Sequence, residues 1–171
     1  MASPVPTGRL LTDGDGGTAL VLARTLAAAP DEVWAHLTES ARTALWYGPW
    51  RGEPGPGAVV EVRTAFEEGD GWSPFTIEVC EPPRRLLVTA GTDAAAWRLE
   101  ASLSAGGGRT AVELRHHLPG GPVTGLGEIG PGWEYYLDMF TASFAGVPLP
   151  VFATYYPALR GYYEELARSG G

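Results

Sequence analysis

GPGWEYYLDMFTASFAG, Gly130 to Gly146, is the clearest amphipathic helix in the chain. Its large apolar residues Trp133, Tyr136, Leu137, Phe140 and Phe144, and then Val147, recur three and four apart, which places them on one helical face. The sequence predicts Pro131 in the first turn, where its missing N–H costs nothing, and a stop at Gly146 followed by Pro148. A helix with so wide an apolar face needs a large apolar surface to lie on.

The preceding residues supply that surface. Val60, Val62, Thr64 and Phe66 alternate with Glu61 and Arg63, and Phe75, Ile77 and Val79 alternate with Thr76, Glu78 and Cys80. Leu86, Val88 and Ala90 follow the turn Glu81-Pro82-Pro83-Arg84-Arg85, and Trp97, Leu99, Ala101 and Leu103 alternate with Arg98, Glu100 and Ser102. Past Gly106-Gly107-Gly108, Val112, Leu114 and His116 alternate with Glu113, Arg115 and His117. A period of two broken by turn residues marks an antiparallel meander with one apolar and one charged face.

Upstream, TALVLARTL (Thr18 to Leu26) reads as a strand, and Ala29-Pro30-Asp31-Glu32 opens a helix with its acids where the helix dipole favours them. A second short helix over Thr38 to Leu45 ends in the aromatic cluster Trp46-Tyr47-Gly48-Pro49-Trp50. The expected fold class is α+β: a curved antiparallel sheet wrapped around a long C-terminal helix, with two short helices after the first strand. Pro157 to Ala167, with Leu159, Tyr162, Tyr163 and Leu166 on one face, predicts an extra C-terminal helix. Residues 1–17, rich in Pro, Gly and Asp, are expected as a flexible N-terminal tail, and residues 18–171 as a single domain including that helical extension.

With 171 residues and 44% hydrophobic content, the chain can bury one real core. Twenty acidic against twelve basic residues give a net charge of -8, a field that repels phosphate backbones and anionic lipid, so neither nucleic acid nor membrane is an expected partner. Every basic residue is Arg, which excludes Schiff-base chemistry by lysine and a P-loop lysine. Cys80 is the single cysteine, the N-terminal residues lack the layout of a signal peptide, and no apolar run approaches the roughly eighteen residues of a membrane span. A cytoplasmic location is the expectation.

APDEVWAHLTE, LWYGPW, CEPPRRLLVT and GWEYYLDMF, in that order between Thr18 and Gly146, resemble the START-like (SRPBCC) superfamily, and within it the branch of homologues of the activator of the heat-shock-protein-90 ATPase. The resemblance implies a helix-grip fold with a cavity between sheet and long helix, often binding a small apolar or amphipathic molecule. Members differ widely in function, so the fold alone does not assign one.

The aromatic residues Trp46, Tyr47, Trp50, Phe75, Trp97, Trp133, Tyr136 and Phe140 are the candidate ligand-binding walls, with Tyr47 and His116 as orienting polar groups. A filler core would favour Leu and Ile, whereas indole N–H and phenol O–H groups need partners when buried. A dry cavity of even about 300 Å³ would cost roughly 7 kcal/mol, comparable with the stability of a whole domain. No metal or other cofactor is expected: adjacent His116 and His117 point to opposite faces of a strand, and His36 has no ligand types around it. Cys80 falls on the polar face by alternation and reads as a structural or surface thiol. The leading expectation is noncovalent binding of a small hydrophobic or aromatic molecule. The alternatives are an aromatase/cyclase- or hydrolase-like enzyme using the same cavity, and a co-chaperone-like interaction module. A homodimer is expected if the Tyr-rich C-terminal helix leaves an apolar face to cover.

Overall fold

The computed structural model describes residues 4–170. Eight strands form one antiparallel sheet: β1 (Arg9–Thr12), β2 (Thr18–Leu26), β3 (Trp50–Arg51), β4 (Val59–Val62), β5 (Ser73–Glu81), β6 (Arg85–Ala90), β7 (Trp97–Gly106) and β8 (Arg109–His117). Their order across the sheet is β1-β2-β8-β7-β6-β5-β4-β3. Only the step from β2 to β8 joins strands distant in sequence, and the residues between them first build α1 (Pro30–Thr38) and α2 (Ser40–Thr43). The long helix α3 (Leu126–Ala145) lies against the apolar face, and α4 (Arg160–Ser169) follows after a 3-10 turn at Phe152–Thr154. This is the helix-grip fold.

The alternation predicted along β7 and β8 holds from Leu99 to Leu103 and from Thr110 to His116, while Trp97 at the start of β7 is exposed. Leu99, Ala101 and Leu103, and Thr110, Val112, Leu114 and His116, are buried, while their neighbours face outward and pair across strands, as Arg85 does with Glu100 at 2.7 Å. β4 is shorter than expected, because the chain leaves the sheet after Val62, and Phe66 is exposed on the following loop.

Three expectations need correction. First, α3 starts at Leu126, so Pro131 lies inside it and not in its first turn. The extra turn allows close packing on α4: a Cβ at Gly130 would overlap the Tyr163 ring, which is fully buried. Second, the segment expected as a tail contains β1, paired antiparallel to β2 with Leu10 opposite Leu20; its first three residues lie outside the described residues. What holds it is a buried carboxylate. Glu134 on α3 accepts hydrogen bonds from the Thr7 and Gly8 N–H groups and from the Tyr163 hydroxyl, and its other oxygen meets Arg24 at 2.7 Å. Third, Leu159 and Tyr163 are buried in their own domain and Leu166 packs partly against it, so the apolar face that motivated the homodimer is largely covered within the chain, with Tyr162 left 42% exposed.

Candidate functional site

α3 packs against β2, so it covers only the β1–β2–β8 side of the sheet. The strands beyond β7 are roofed by α1, α2 and the aromatic residues that follow α2. Two apolar clusters result: a large one centred on Phe140, Met139, Leu20 and Leu22, and a small one of Val60, Val62 and Ile77. Between them lies a cavity of about 420 Å³. Its floor is aliphatic, with Val60, Val62, Ile77, Leu86 and Val88, and its roof is aromatic, with Trp34, Trp46, Tyr47 and Trp133.

Three indoles around the cavity are held in place by their N–H groups. The Trp46 indole donates to the His36 carbonyl at 3.1 Å, Trp50 to the Thr38 carbonyl at 2.8 Å, and Trp133 to Nδ1 of His116 at 3.1 Å. α1 is tied to α3 by Nε2 of His36 and Oγ of Ser143, 2.9 Å apart. Burial, with help from the charge of Arg42, lowers the pKa of His36, so this contact belongs to the neutral ring. Gly48 lets the chain pass under the backbone of Arg63, where any side chain would collide with the Arg63 carbonyl.

Of the residues proposed from sequence as walls, Trp46, Tyr47, Trp50, Phe75 and Trp133 come together on the cavity. Phe140 lies behind them, fully buried and edge-on to Trp46 at 5.0 Å. Tyr136 packs tilted against Tyr47, ring centroids 4.9 Å apart, and donates its hydroxyl to Glu67 at 2.6 Å, forming the second layer at that end. Trp97 sits elsewhere: it is 42% exposed, beside the His116 ring at 4.6 Å, and borders a broad charged groove with Arg85, Glu100 and His117. His116 lines that groove and not the cavity. Burial, and then the neighbouring His117, push its pKa down to about 4, so at neutral pH its Nδ1 is an acceptor for Trp133.

Sequence alternation missed Cys80. The register between β5 and β6 shifts between Ile77 and Val79, a β-bulge at Glu78 that reverses the inward and outward alternation. Cys80 therefore joins Phe75 and Ile77 on the cavity side, opposite Leu86. Trp34 and Leu37 of α1 also line the cavity, with no sequence cue to separate them from ordinary core.

Residues 27–145, more than half of the chain, match the family described as Activator of Hsp90 ATPase homolog 1-like protein. The chain belongs to that family. Among solved structures, CalU16 from Micromonospora echinospora is 24% identical with a TM-score of 0.72, over 97% of this chain and 99% of its own. The protein encoded by BPP1335 from Bordetella parapertussis is also 24% identical, with a TM-score of 0.72 over 96% of this chain and 92% of its own. DynU16, from the dynemicin biosynthetic locus, is 24% identical with a TM-score of 0.65, over 75% of this chain and 48% of its own. At such identities the likeness establishes the fold alone. No curated protein matches. The Activator of Hsp90 ATPase homolog 1-like match spans residues 27–145, so β1, β2 and α4 lie outside it. No described helix is long and apolar enough to cross a membrane.

Proposed function

We propose that this protein binds a small apolar or aromatic molecule noncovalently in the cavity between the sheet and the roof made by α1, α2, the aromatic residues after α2 and Trp133 of α3. The observation that carries the proposal is the cavity itself. Protein interiors are close-packed, with few voids larger than a water molecule. About 420 Å³ between two well-packed clusters lies instead within the roughly 300–1,000 Å³ range of ligand pockets. The walls suit that role, being aromatic and aliphatic with few polar groups. Trp46, Tyr47, Trp50, Phe75 and Trp133 are the proposed contacts, with Tyr136 and Phe140 buttressing them. His116 acts through Trp133 by fixing the indole.

Native mass spectrometry of the purified protein, with a thermal-shift screen of aromatic and lipid-like compounds, tests this. Ala101 lines the cavity on β7, and Ala101→Leu fills part of it with apolar volume. A co-purified small molecule, or a saturable melting shift that Ala101→Leu removes, supports the proposal. A clean protein mass with no shift from any compound contradicts it.

A further inference from the structure

Resting on that reading of the cavity, we infer that its ligand is an uncharged planar polycyclic molecule bearing a hydroxyl or carbonyl group, which pairs with the Tyr47 hydroxyl, and that carboxylates are rejected.

Charge decides the rejection. Among the described residues, no Arg or His lines the cavity, and the chain contains no lysine. The ionisable carboxyl side chains in its lining are Glu39 and Glu100, and Glu67 lies beyond Tyr47, near enough that its charge acts on the Tyr47 phenol. A carboxylate in this space would lose its hydration with no cation to replace it, and would face negative charge at the Tyr47 end. Fatty acids and aromatic acids are therefore poor ligands despite their apolar bodies.

The polar complement comes from the lining hydroxyls. The Thr38 and Thr43 hydroxyls donate to the carbonyls of Trp34 and Ser40, and Glu39 and Glu100 are paired with Arg42 and Arg85. Tyr47 also lines the cavity, and its hydroxyl, toward the Glu67 end, makes no protein hydrogen bond among the described residues. It stays protonated, its pKa pushed up to about 12 by burial and then by the charge of Glu67, so it donates to a ligand carbonyl or exchanges hydrogen bonds with a ligand hydroxyl. Because the N–H groups of Trp46, Trp50 and Trp133 are spent on the protein, these rings offer π faces and C–H edges over the aliphatic floor. A slot of that kind accepts planar rings better than a flexible chain.

Three probes that share one ring system separate these effects: pyrene, 1-hydroxypyrene and pyrene-1-carboxylate, titrated at pH 7 and read by quenching of tryptophan emission and by protection of Cys80 from alkylation. The expected order is 1-hydroxypyrene tightest and the carboxylate weaker by about tenfold or more. Tyr47→Phe, its fold checked by thermal melting, weakens 1-hydroxypyrene by about tenfold and leaves pyrene unchanged. Trp34→Phe removes the one lining indole whose N–H makes no protein hydrogen bond among the described residues, and it leaves the preference for the hydroxyl intact. If the carboxylate binds as tightly as 1-hydroxypyrene, or if Tyr47→Phe leaves 1-hydroxypyrene unaffected, this inference is overturned while the cavity remains a binding site. If none of the three protects Cys80, the cavity reading fails and takes this inference with it.

Discussion

Trp133 and Glu134 are neighbours on α3, yet they face two regions built on opposite plans. On the Glu134 side the side chains pack tightly and, among the described residues, every buried polar side-chain atom has a partner. Arg24 spans Glu134 and Asp138 at 2.7 Å each, the Tyr155 hydroxyl meets Asp138 at 2.6 Å, and the Tyr163 ring packs onto Gly130. On the Trp133 side the side chains leave about 420 Å³ between them. The Glu134 region gathers β1, β2, α3 and α4 around one carboxylate. Burial opposes its ionisation, but the Thr7 N–H, the Tyr163 hydroxyl and Arg24 together hold its pKa below the usual carboxylate range. The contrast shows how a cavity can persist: α3 is fixed from one side by polar groups that tolerate no shift, so it cannot slide across the sheet and close the space on the other.

Breaking the filled side should have the largest effect. Glu134→Ala leaves Arg24 buried with only Asp138 and strips the N–H groups of Thr7 and Gly8 of their acceptor, so we expect a loss of about 3–5 kcal/mol in urea unfolding. Limited proteolysis of the same variant should cut first in the N-terminal segment and at α4, the two elements the carboxylate ties down.

A second effect is expected from pH, and it sharpens the comparison on the Trp133 side. In the unfolded chain His116 titrates near 6.5, whereas in the fold its pKa is about 4. Between those values the unfolded chain holds a proton that the folded chain does not, so stability is fully present above about pH 6.5 and falls as the pH drops toward 4. The loss is on the order of 3 kcal/mol. His36, also shifted down, adds to it with the same sign, while Glu78, Glu100 and Glu134 are all held low and contribute at more acid pH. Denaturant unfolding at pH 7.5 and pH 4.5 should show the drop. His116→Gln, which keeps an acceptor for Trp133, should flatten most of it.

The smallest effect is the most discriminating. Ala101→Leu on the filled side of a core would overpack, but Ala101 faces the cavity, so the variant should match wild-type stability or exceed it by about 1 kcal/mol. Its thermal melting should hold or rise as ligand binding falls. A clear destabilisation would mean that the space is smaller or less available than its geometry implies.

The sheet and α3 were legible in the sequence because both follow simple periods over many residues. β7 and β8 alternate without interruption, and the stripe from Trp133 to Phe144 tracks a helix. The site was half legible. Trp46, Tyr47, Trp50, Phe75 and Trp133 stood out as aromatic residues, but Trp97 and His116, placed inward by alternation, lie at the end of the β7–β8 pair that borders the charged groove. Cys80 was hidden by the bulge at Glu78, since one extra residue reverses every later side chain and no glycine or proline marks it. The Glu134 centre was invisible for another reason. A single acid on a helix reads as a solvated position, and only the fold brings the chain on either side of Gly8 to it.

The most direct measurement is the alkylation rate of Cys80, the chain's single thiol, by N-ethylmaleimide with and without a saturating aromatic ligand such as 1-hydroxypyrene. If the cavity is where such molecules bind, occupancy blocks the thiol, and the rate should fall by about tenfold or more while urea-unfolded protein reacts equally with and without ligand. An unchanged rate at saturation would contradict the account, because the ligand would then be bound somewhere other than the cavity that Cys80 lines.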